Sequence, residues 1–404
     1  MGKRRLSRLL LVATAVSTAS CAELFTETIP EGDLFDTPVP GLSTAETAAF
    51  ARGDAEFGRR FAASSGLGPI FNNTSCIACH SGDGRGRLEN SLQRIGSRDD
   101  NFMRAVGGPQ IQDKAIPGAE FERTPPGANV SLRLPPPVFG VGLIEAIAER
   151  DILSREDSLD SDGDGISGRA NWVVAASYVP HSEPGSGTMP RLGRFGRKAQ
   201  VTNLVEQTVE AYHLDLGITS DFQPNENRNP LASPASDAAD RVIDPEIPGS
   251  TVMSVVNYLR MLAPSASGPD TPRRTEGRST FNSIRCASCH TPTMLTGTSG
   301  ITALSNKSVD LYSDLLLHDM GDALADNRPD GQASGREWRT TPLWGLRLMR
   351  RFLDGSAFLL HDGRARSVEQ AVLLHGGEAK SSRDAFAALS ADKRAALLDF
   401  VESR

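Results

Sequence analysis

Three features are scarce or missing in this sequence, and each absence narrows what the chain can be. No apolar run approaches the length of about 20 residues that a transmembrane helix needs. No block of basic residues occurs beyond the N-terminus, and the formal net charge is only −7, so nucleic acid is not an expected partner. Histidine and cysteine are few, with 7 and 5 residues among 404. Any metal or redox chemistry must therefore use a short list of side chains.

Four of the five cysteines fall into two copies of the pattern Cys-x-x-Cys-His. The copies are formed by Cys76, Cys79 and His80, and by Cys286, Cys289 and His290. Two cysteines three positions apart on a helical turn can form thioethers to the vinyl groups of one haem, and the histidine that follows becomes the proximal iron ligand. Half of a zinc site or a redox dithiol is the alternative, but neither needs that histidine. The pattern predicts two covalently bound haems c.

The N-terminal segment predicts export. Basic residues precede a short apolar region, and Thr18-Ala-Ser-Cys21 is typical of a bacterial lipoprotein signal. We therefore expect residues 1–21 to be a signal peptide ending at a lipidated Cys21, followed by a tether over 22–41. A plain secretory signal cleaved nearby is the alternative. Both place the mature protein in the periplasm, and the first adds a membrane contact through the lipid anchor.

The chain length and the spacing of the motifs predict two domains. The motifs lie 210 residues apart (286 − 76), which is too far for one small cytochrome module. The 38 glycines and 25 prolines indicate helices joined by long irregular loops. Ser43 and Glu46 form a capping box that opens a helix, and a Pro264–Pro269 stretch separates the halves. We expect a mainly α fold with two cytochrome c-like haem domains, 42–264 and 265–404, the first with a large loop-rich insertion.

Glu145 is a candidate general acid/base. It lies on a helix after a proline-rich lead-in, among the apolar residues Leu143, Ile144 and Ile147. Burial of a carboxylate in apolar surroundings disfavours its charged form and raises its pKa, which suits proton transfer near neutral pH. A half-exposed helix glutamate without a catalytic role is the alternative.

An Asp-rich loop is a candidate Ca²⁺ site. Asp160, Asp162 and Asp164 alternate with small residues, and Gly165 allows a sharp turn. Asn171 stands where an EF-hand has its bidentate glutamate, so this is not a standard EF-hand. A solvated acidic turn is the alternative interpretation.

Several arginines are candidate contacts for haem propionates. Arg85 and Arg87 follow the first motif, and Arg197 lies in a later basic stretch. Solvated arginine side chains are the alternative interpretation at each position.

Further motifs carry a resemblance to a known family. They are the segments 142–147 (Gly-Leu-Ile-Glu-Ala-Ile), 314–321 (Asp-Leu-Leu-Leu-His-Asp-Met-Gly), 339–345 (Arg-Thr-Thr-Pro-Leu-Trp-Gly) and 361–365 (His-Asp-Gly-Arg-Ala). With the paired haem motifs they resemble the bacterial di-haem oxidoreductase, putative peroxidase family, also labelled thiol oxidoreductase.

A more distant resemblance is to di-haem cytochrome c peroxidases. In those enzymes a residue just after an Ala-Val helix, usually methionine, is a distal iron ligand. Here that position falls on His375, which implies a bis-histidine, lower-potential second haem, with His361 near it but not ligating.

The resemblance implies a direction of electron flow. A small electron-donor protein or a quinol-linked cytochrome would deliver electrons to the C-terminal haem. The N-terminal haem would reduce H₂O₂ or another small oxidant, with Glu145 as acid/base above it and Ca²⁺ between the haems. Two other classes stay open: an electron-transfer cytochrome without a substrate site, and an oxidase of a thiol or organic substrate.

Overall fold

The computed structural model describes residues 34–80, 82, 84–96 and 105–404. The predicted signal peptide, Cys21 and residues 22–33 of the predicted tether lie outside the described residues. Within them, no helix combines the length and the apolarity needed to cross a membrane.

Helices dominate the secondary structure, with 34% of the chain helical and 12% in strands. The helices of the first half are α1 Thr44–Phe57, α2 Cys76–Cys79, α3 Val141–Ala146, α4 Glu149–Leu153, α5 Leu204–Glu210, α6 Pro234–Asp237 and α7 Gly249–Met261. Those of the second half are α8 Pro272–Ser283, α9 Leu346–Phe352, α10 Val368–Leu374, α11 Lys380–Ala387 and α12 Ala391–Glu402. A π-helical turn, Ala211–Asp215, continues α5 directly. The expected helices joined by long loops are present.

Short antiparallel strands, which were not predicted, occur within the loops. They are β1 Ile70–Phe71, β2 Leu92–Ile95, β3 Gln110–Ile111, β4 Lys114–Ala115, β5 Val130–Arg133, β6 Trp172–Val173, β7 Arg191–Leu192, β8 Met294–Leu295, β9 Ser308–Val309, β10 Leu317–Asp319 and β11 Glu337–Arg339. β2 lies between β3 and β5, and the others pair as β1–β4, β6–β7, β8–β9 and β10–β11. The fold is therefore mixed rather than purely helical.

Each haem motif follows the first helix of a crossing pair. α1 precedes the first motif in the chain and packs against α7. α8 precedes the second motif and packs against α12. A glycine allows each close approach: a Cβ at Gly53 would overlap the Ser254 carbonyl, and one at Gly277 would overlap the Ala396 carbonyl. The two motifs thus share the same kind of helical frame.

The capping box predicted for α1 is present. Ser43 N donates to Glu46 Oε2 at 2.7 Å, and Glu46 N donates to Ser43 Oγ at 3.3 Å. Phe57 stacks near Tyr258 of α7, with ring centroids 5.4 Å apart, and its ring lies 6.2 Å from the His80 ring. The buried face of α1 therefore contacts the first haem motif directly.

The apolar core crosses the predicted domain boundary at residues 264/265. The larger cluster joins Phe35 and Val256 from the first half to Leu316 and Leu348 from the second. The smaller cluster surrounds α8 and α12 but includes Leu134 from the first half. The two helix pairs are separate, while the packing between them is continuous. The boundary itself stays a prediction.

A buried ionic network also joins the halves. The Lys198 side chain is fully buried, and its Nζ donates to Asp326 Oδ1 at 2.8 Å and to the carbonyls of Arg328 and Ser334 at 2.8 and 2.7 Å. Arg133 bonds the same Asp326 through Nη2 at 3.3 Å. Asp326 thus serves two cations, and Arg133 also pairs with Asp330, so removing one member leaves buried charges with fewer partners.

Replacing Lys198 by methionine should lower the free energy of unfolding by about 3 kcal/mol. The change deletes one buried charge while Asp326 and two carbonyls lose a donor. The midpoint of urea unfolding of the haem-loaded protein measures the effect. Lys380→Met is the matched control, because Lys380 and Asp384 are 65% and 50% exposed, and this pair should contribute at most about 1 kcal/mol. Equal midpoints for both variants would contradict a stabilising role for the network.

Candidate haem sites

The first motif lines a large cavity. The helical turn α2 places Cys76 and Cys79 on one wall, and His80 N donates to the Cys76 carbonyl at 2.9 Å. His80 Nδ1 lies 3.3 Å from the Gly84 carbonyl. When Nδ1 donates there, Nε2 is the nitrogen that an iron would use, although the Pro136 carbonyl is a further hydrogen-bond partner of the ring. Burial lowers the pKa of His80 to about 4, so the ring is neutral at physiological pH.

The second motif lines another cavity and meets a second histidine there. A 3₁₀ turn, Cys286–Ser288, holds the thiols, and His290 Nδ1 lies 2.9 Å from the Tyr312 carbonyl. His375, at the C-terminal end of α10, lines the same cavity, with its Nδ1 2.7 Å from the Ala371 carbonyl. Burial lowers the pKa of both rings. Two neutral imidazoles, each with Nε2 unused, suit two axial ligands of one iron.

The four thiols suit covalent attachment better than redox or metal chemistry. None is part of a disulfide. Burial raises the pKa of Cys79 and of Cys286 to about 12, and it also raises the pKa of Cys289. A reactive dithiol or a thiolate zinc site needs a lowered pKa instead. The cavities hold about 1670 and 1430 Å³ of atom-free space, which includes solvent at their mouths, and each has a Cys-x-x-Cys-His turn in its wall. The residues present therefore fit two haems.

The first cavity differs from the second in its lining. Among the described residues that line it, His80 is the only histidine and there is no methionine. Helix α5 and the turn after it present Gln207, Thr208 and Glu210 to the cavity. The Thr208 hydroxyl is buried without a hydrogen-bond partner. The described lining thus supplies one imidazole that would hold an iron, together with polar groups from α5.

Two carboxylates line the first cavity. Burial raises the pKa of Glu210, and nearby Arg94 opposes that shift. Burial also raises the pKa of Asp215 to about 6, although Gln110 Nε2 donates to its Oδ1 at 2.6 Å. The Asp215 carboxylate is thus engaged by the Gln110 amide. The Glu210 carboxyl group lies in the cavity wall, and its proton affinity is increased. Neither residue was identified from the sequence, since a helix glutamate has no local signature.

Glu145 does not line either cavity. Its Oε2 accepts from Arg260 Nε at 2.6 Å, and its Oε1 accepts from the Leu204 amide at 2.9 Å. Arg260 also contacts Glu183 at 2.5 Å. The apolar surroundings expected from the helix pattern are therefore corrected to a buried ion pair with Arg260. The acid/base role of Glu145 stays a prediction that this geometry does not favour.

The Asp-rich loop gathers a different trio from the one predicted. Carboxylate oxygens of Asp157, Asp160 and Asp162 lie within 4.8 Å of one another. Asp164 instead forms an ion pair with Arg285, the residue before the second haem motif. The loop thus contacts the second haem site through Asp164. Calcium binding by this loop stays a prediction. The grouped carboxylates include Asp157, whereas the sequence predicted Asp164.

His318 forms an ion-paired clamp beside the second motif. Its Nε2 lies 2.8 Å from Asp314 Oδ2, and its Nδ1 lies 2.7 Å from Glu378 Oε2 and 3.6 Å from Cys289 Sγ. Burial alone would lower the pKa of His318, but the two carboxylates raise it well above its usual value. Ser167 donates to the same Glu378, which ties the Asp-rich loop to the clamp. Because both its ring nitrogens are engaged, His318 is not available to an iron.

His361 and Met320 line the second cavity as well. The His361 ring stacks on Trp338, with centroids 3.7 Å apart and an angle of 12°. His361 therefore lies near the cofactor space. Its ring is held by stacking rather than by a backbone carbonyl, unlike the rings of His290 and His375, and its expected role as a residue that does not ligate stays a prediction.

A second acidic group was missed from the sequence. Glu226, Asp244 and Glu246 bring carboxylate oxygens within 4.8 Å of one another. Burial, followed by the charges of the neighbouring carboxylates, raises the pKa of Glu226 to about 9. The three residues are distributed over a polar, proline-containing loop with no regular spacing, so no sequence pattern pointed to them.

Comparison with known proteins shows which family the chain matches and which solved structures it is similar to. A family model described as "Di-haem oxidoreductase, putative peroxidase" matches residues 17–100 and 127–404, which include both haem motifs. No curated protein matches the chain. Among solved structures, the chain is similar to hydrazine synthase of Kuenenia stuttgartiensis pressurised with xenon, over 100% of both chains, at 12% identity and a TM-score of 0.38. It is also similar to a MauG-like protein associated with microbial copper homeostasis, over 66% of this chain and 88% of that one, at 14% identity and a TM-score of 0.30.

Proposed function

The chain belongs to the di-haem oxidoreductase, putative peroxidase family, and from that premise we propose that it is a di-haem peroxidase. Reduction of H₂O₂ or a similar small oxidant takes place at the cavity of His80, and electrons arrive through the cavity of His290 and His375. The donor is a small electron-donor protein or a quinol-linked cytochrome. Each peroxide accepts two electrons and two protons and yields two water molecules.

The observation that carries this proposal is the unequal supply of iron ligands. The second cavity offers two histidines with the same tautomer, which suits a closed, electron-transferring site. In the described part of the first cavity, His80 stands alone, which leaves a position for an oxidant. A carrier of electrons would have no use for such a position.

The chain's own residues have separate tasks at the first cavity. The haems supply one-electron chemistry when they are bound. His80, whose Nδ1 lies 3.3 Å from the Gly84 carbonyl, would hold the iron of this cavity, and its lowered pKa of about 4 keeps the ring neutral. Glu210 is placed to take a proton from one peroxide oxygen and return it to the other, because its raised pKa suits transfer near neutral pH.

The haems are covalently attached and sit in two cytochrome c-like domains. The position of both Cys-x-x-Cys-His turns in cavity walls supports thioether attachment, and the raised pKa of Cys79 and Cys286 argues against thiolate metal ligands. The crossing helix pairs α1–α7 and α8–α12, each with a glycine at the crossing, support a common architecture for the two sites.

The mature protein is periplasmic and carries a lipid on Cys21. This part of the proposal is supported by the signal-like segment before Cys21 and by covalent haem attachment, which is exported-side chemistry in bacteria.

Optical and EPR spectra of the oxidised, half-reduced and fully reduced protein test the proposal. We expect one low-spin haem in every state and one high-spin, five-coordinate haem that reacts with H₂O₂ and oxidises a reduced donor. Two low-spin haems, both inert to peroxide and carbon monoxide, would instead identify an electron-transfer cytochrome. Electrons flowing from an added thiol into the oxidised protein at a comparable rate would favour the oxidase.

A further inference from the structure

Two arginines lie between the haem cavities. Arg197 and Arg339 each line both of them, together with Thr341 and Pro342. The Arg339 amide donates to the Arg197 carbonyl at 3.0 Å, so the two residues are fixed side by side. Arg197 is only 6% exposed. A positive charge at this point faces both cofactor spaces at once.

These charges lack a matching anion among the described residues. Arg197 Nε and Nη2 donate to the Leu134 carbonyl at 3.3 and 2.7 Å, and Arg339 Nε donates to the Gly196 carbonyl at 3.2 Å. Arg339 Nη1 is enclosed without any partner. The contacts are to neutral carbonyls, whereas a buried cation normally pairs with a carboxylate.

Neighbouring arginines add to the imbalance. Arg85 is 6% exposed, lines the second cavity and has an enclosed Nε without a partner. Burial lowers the pKa of Arg197 well below its usual value, and the positive charges of Arg85, Arg339 and Arg133 lower it further. Asp362 opposes this shift but forms no direct ion pair with Arg197. Arg197 and Arg339 thus have carbonyl partners but no ion pair among the described residues, and carboxylates entering the cavities would compensate their charge.

We propose that Arg197 and Arg339 bind carboxylates of both haems, a propionate from each cavity, and that this shared charge sets both reduction potentials, a coupling in the sense that its loss lowers both. A guanidinium is a planar fork that can bond carboxylates on two sides. Its positive charge favours the reduced, less positive state of either iron. Because the same charge faces both cavities, its loss acts on both haems together. The inference rests on the two-haem loading of the proposed function, but not on peroxide turnover.

Redox titration of Arg197→Gln, followed optically in the holoprotein, tests this inference. We expect both midpoint potentials to fall. The equilibrium constant for reduction of each haem should decrease on the order of tenfold, which corresponds to 59 mV for one electron. Arg197→Lys keeps the charge and should recover most of the shift. Arg94→Gln and Arg285→Gln are the matched controls: Arg94 lines only the first cavity and Arg285 only the second, so each should move one potential.

Haem content, measured as pyridine haemochrome, is determined first for each variant. A wild-type protein with fewer than two haems refutes the proposed function rather than the coupling. A shift at only one haem, or at neither, in fully loaded Arg197→Gln overturns the coupling. Should that variant not fold, Arg339→Gln carries the same expectation and the same refutation, because Arg339 lines both cavities too.

Discussion

Replacing His375 by methionine is expected to raise the reduction potential of the haem attached at Cys286 and Cys289 by on the order of 0.2 V. A thioether ligand stabilises ferrous iron relative to ferric iron better than a second imidazole does. The backbone supports this swap, since His375 is the C-cap residue directly after α10 and lines the cavity from the helix end. Redox titration with parallel EPR measures the result, and the EPR signal should change from a bis-histidine to a histidine–methionine type.

His361→Met is the matched control for this substitution. His361 lines the same cavity but stacks on Trp338, so its replacement should leave the low-spin signal and shift the potential far less. The assignment of His375 fails if its variant keeps the wild-type potential and spectrum. It also fails if the His361 variant is the one that loses the bis-histidine signal.

Local sequence signals predicted the parts of the sites that are built from neighbouring residues. The two Cys-x-x-Cys-His segments and the Ser43–Glu46 capping box depend on residues within five positions, and the structure contains all three as expected. His375 was placed through family resemblance, and it lies in the cavity of His290. Local chemistry and motif order therefore carried most of the haem-site prediction.

Long-range partners could not be predicted from the sequence. Glu145 meets Arg260, which lies 115 residues later, and this one contact replaces the apolar environment inferred from its own helix. His318 and Glu378 are 60 residues apart, and the buried pair of Lys198 and Asp326 is separated by 128. The paired strands were missed for a different reason: many have only two residues, too few to show alternation.

Proton transfer at the first cavity gives the other large effect. Replacing Glu210 by glutamine is expected to lower the rate of peroxide turnover by about 10²–10⁴-fold, the contribution of a positioned acid/base group. Glutamine keeps the size of the side chain but cannot accept or return a proton. Stopped-flow reaction of the half-reduced protein with H₂O₂ measures the rate, with haem content and the low-spin EPR signal confirming an intact second site.

The pH dependence distinguishes proton transfer from a structural role of Glu210. A base must be ionised, and burial raises the pKa of Glu210, so the wild-type rate should fall as pH drops through that raised value. In Glu210→Gln the rate should no longer fall at low pH. A variant that only distorts the site would be slower but would keep the fall in rate at low pH. Glu145→Gln is the comparison, because Glu145 is committed to Arg260 and the Leu204 amide and should keep near-normal turnover in folded protein. A slow Glu145 variant beside an unaffected Glu210 variant would return the acid/base role to Glu145, and would require its ion pair with Arg260 to open during turnover.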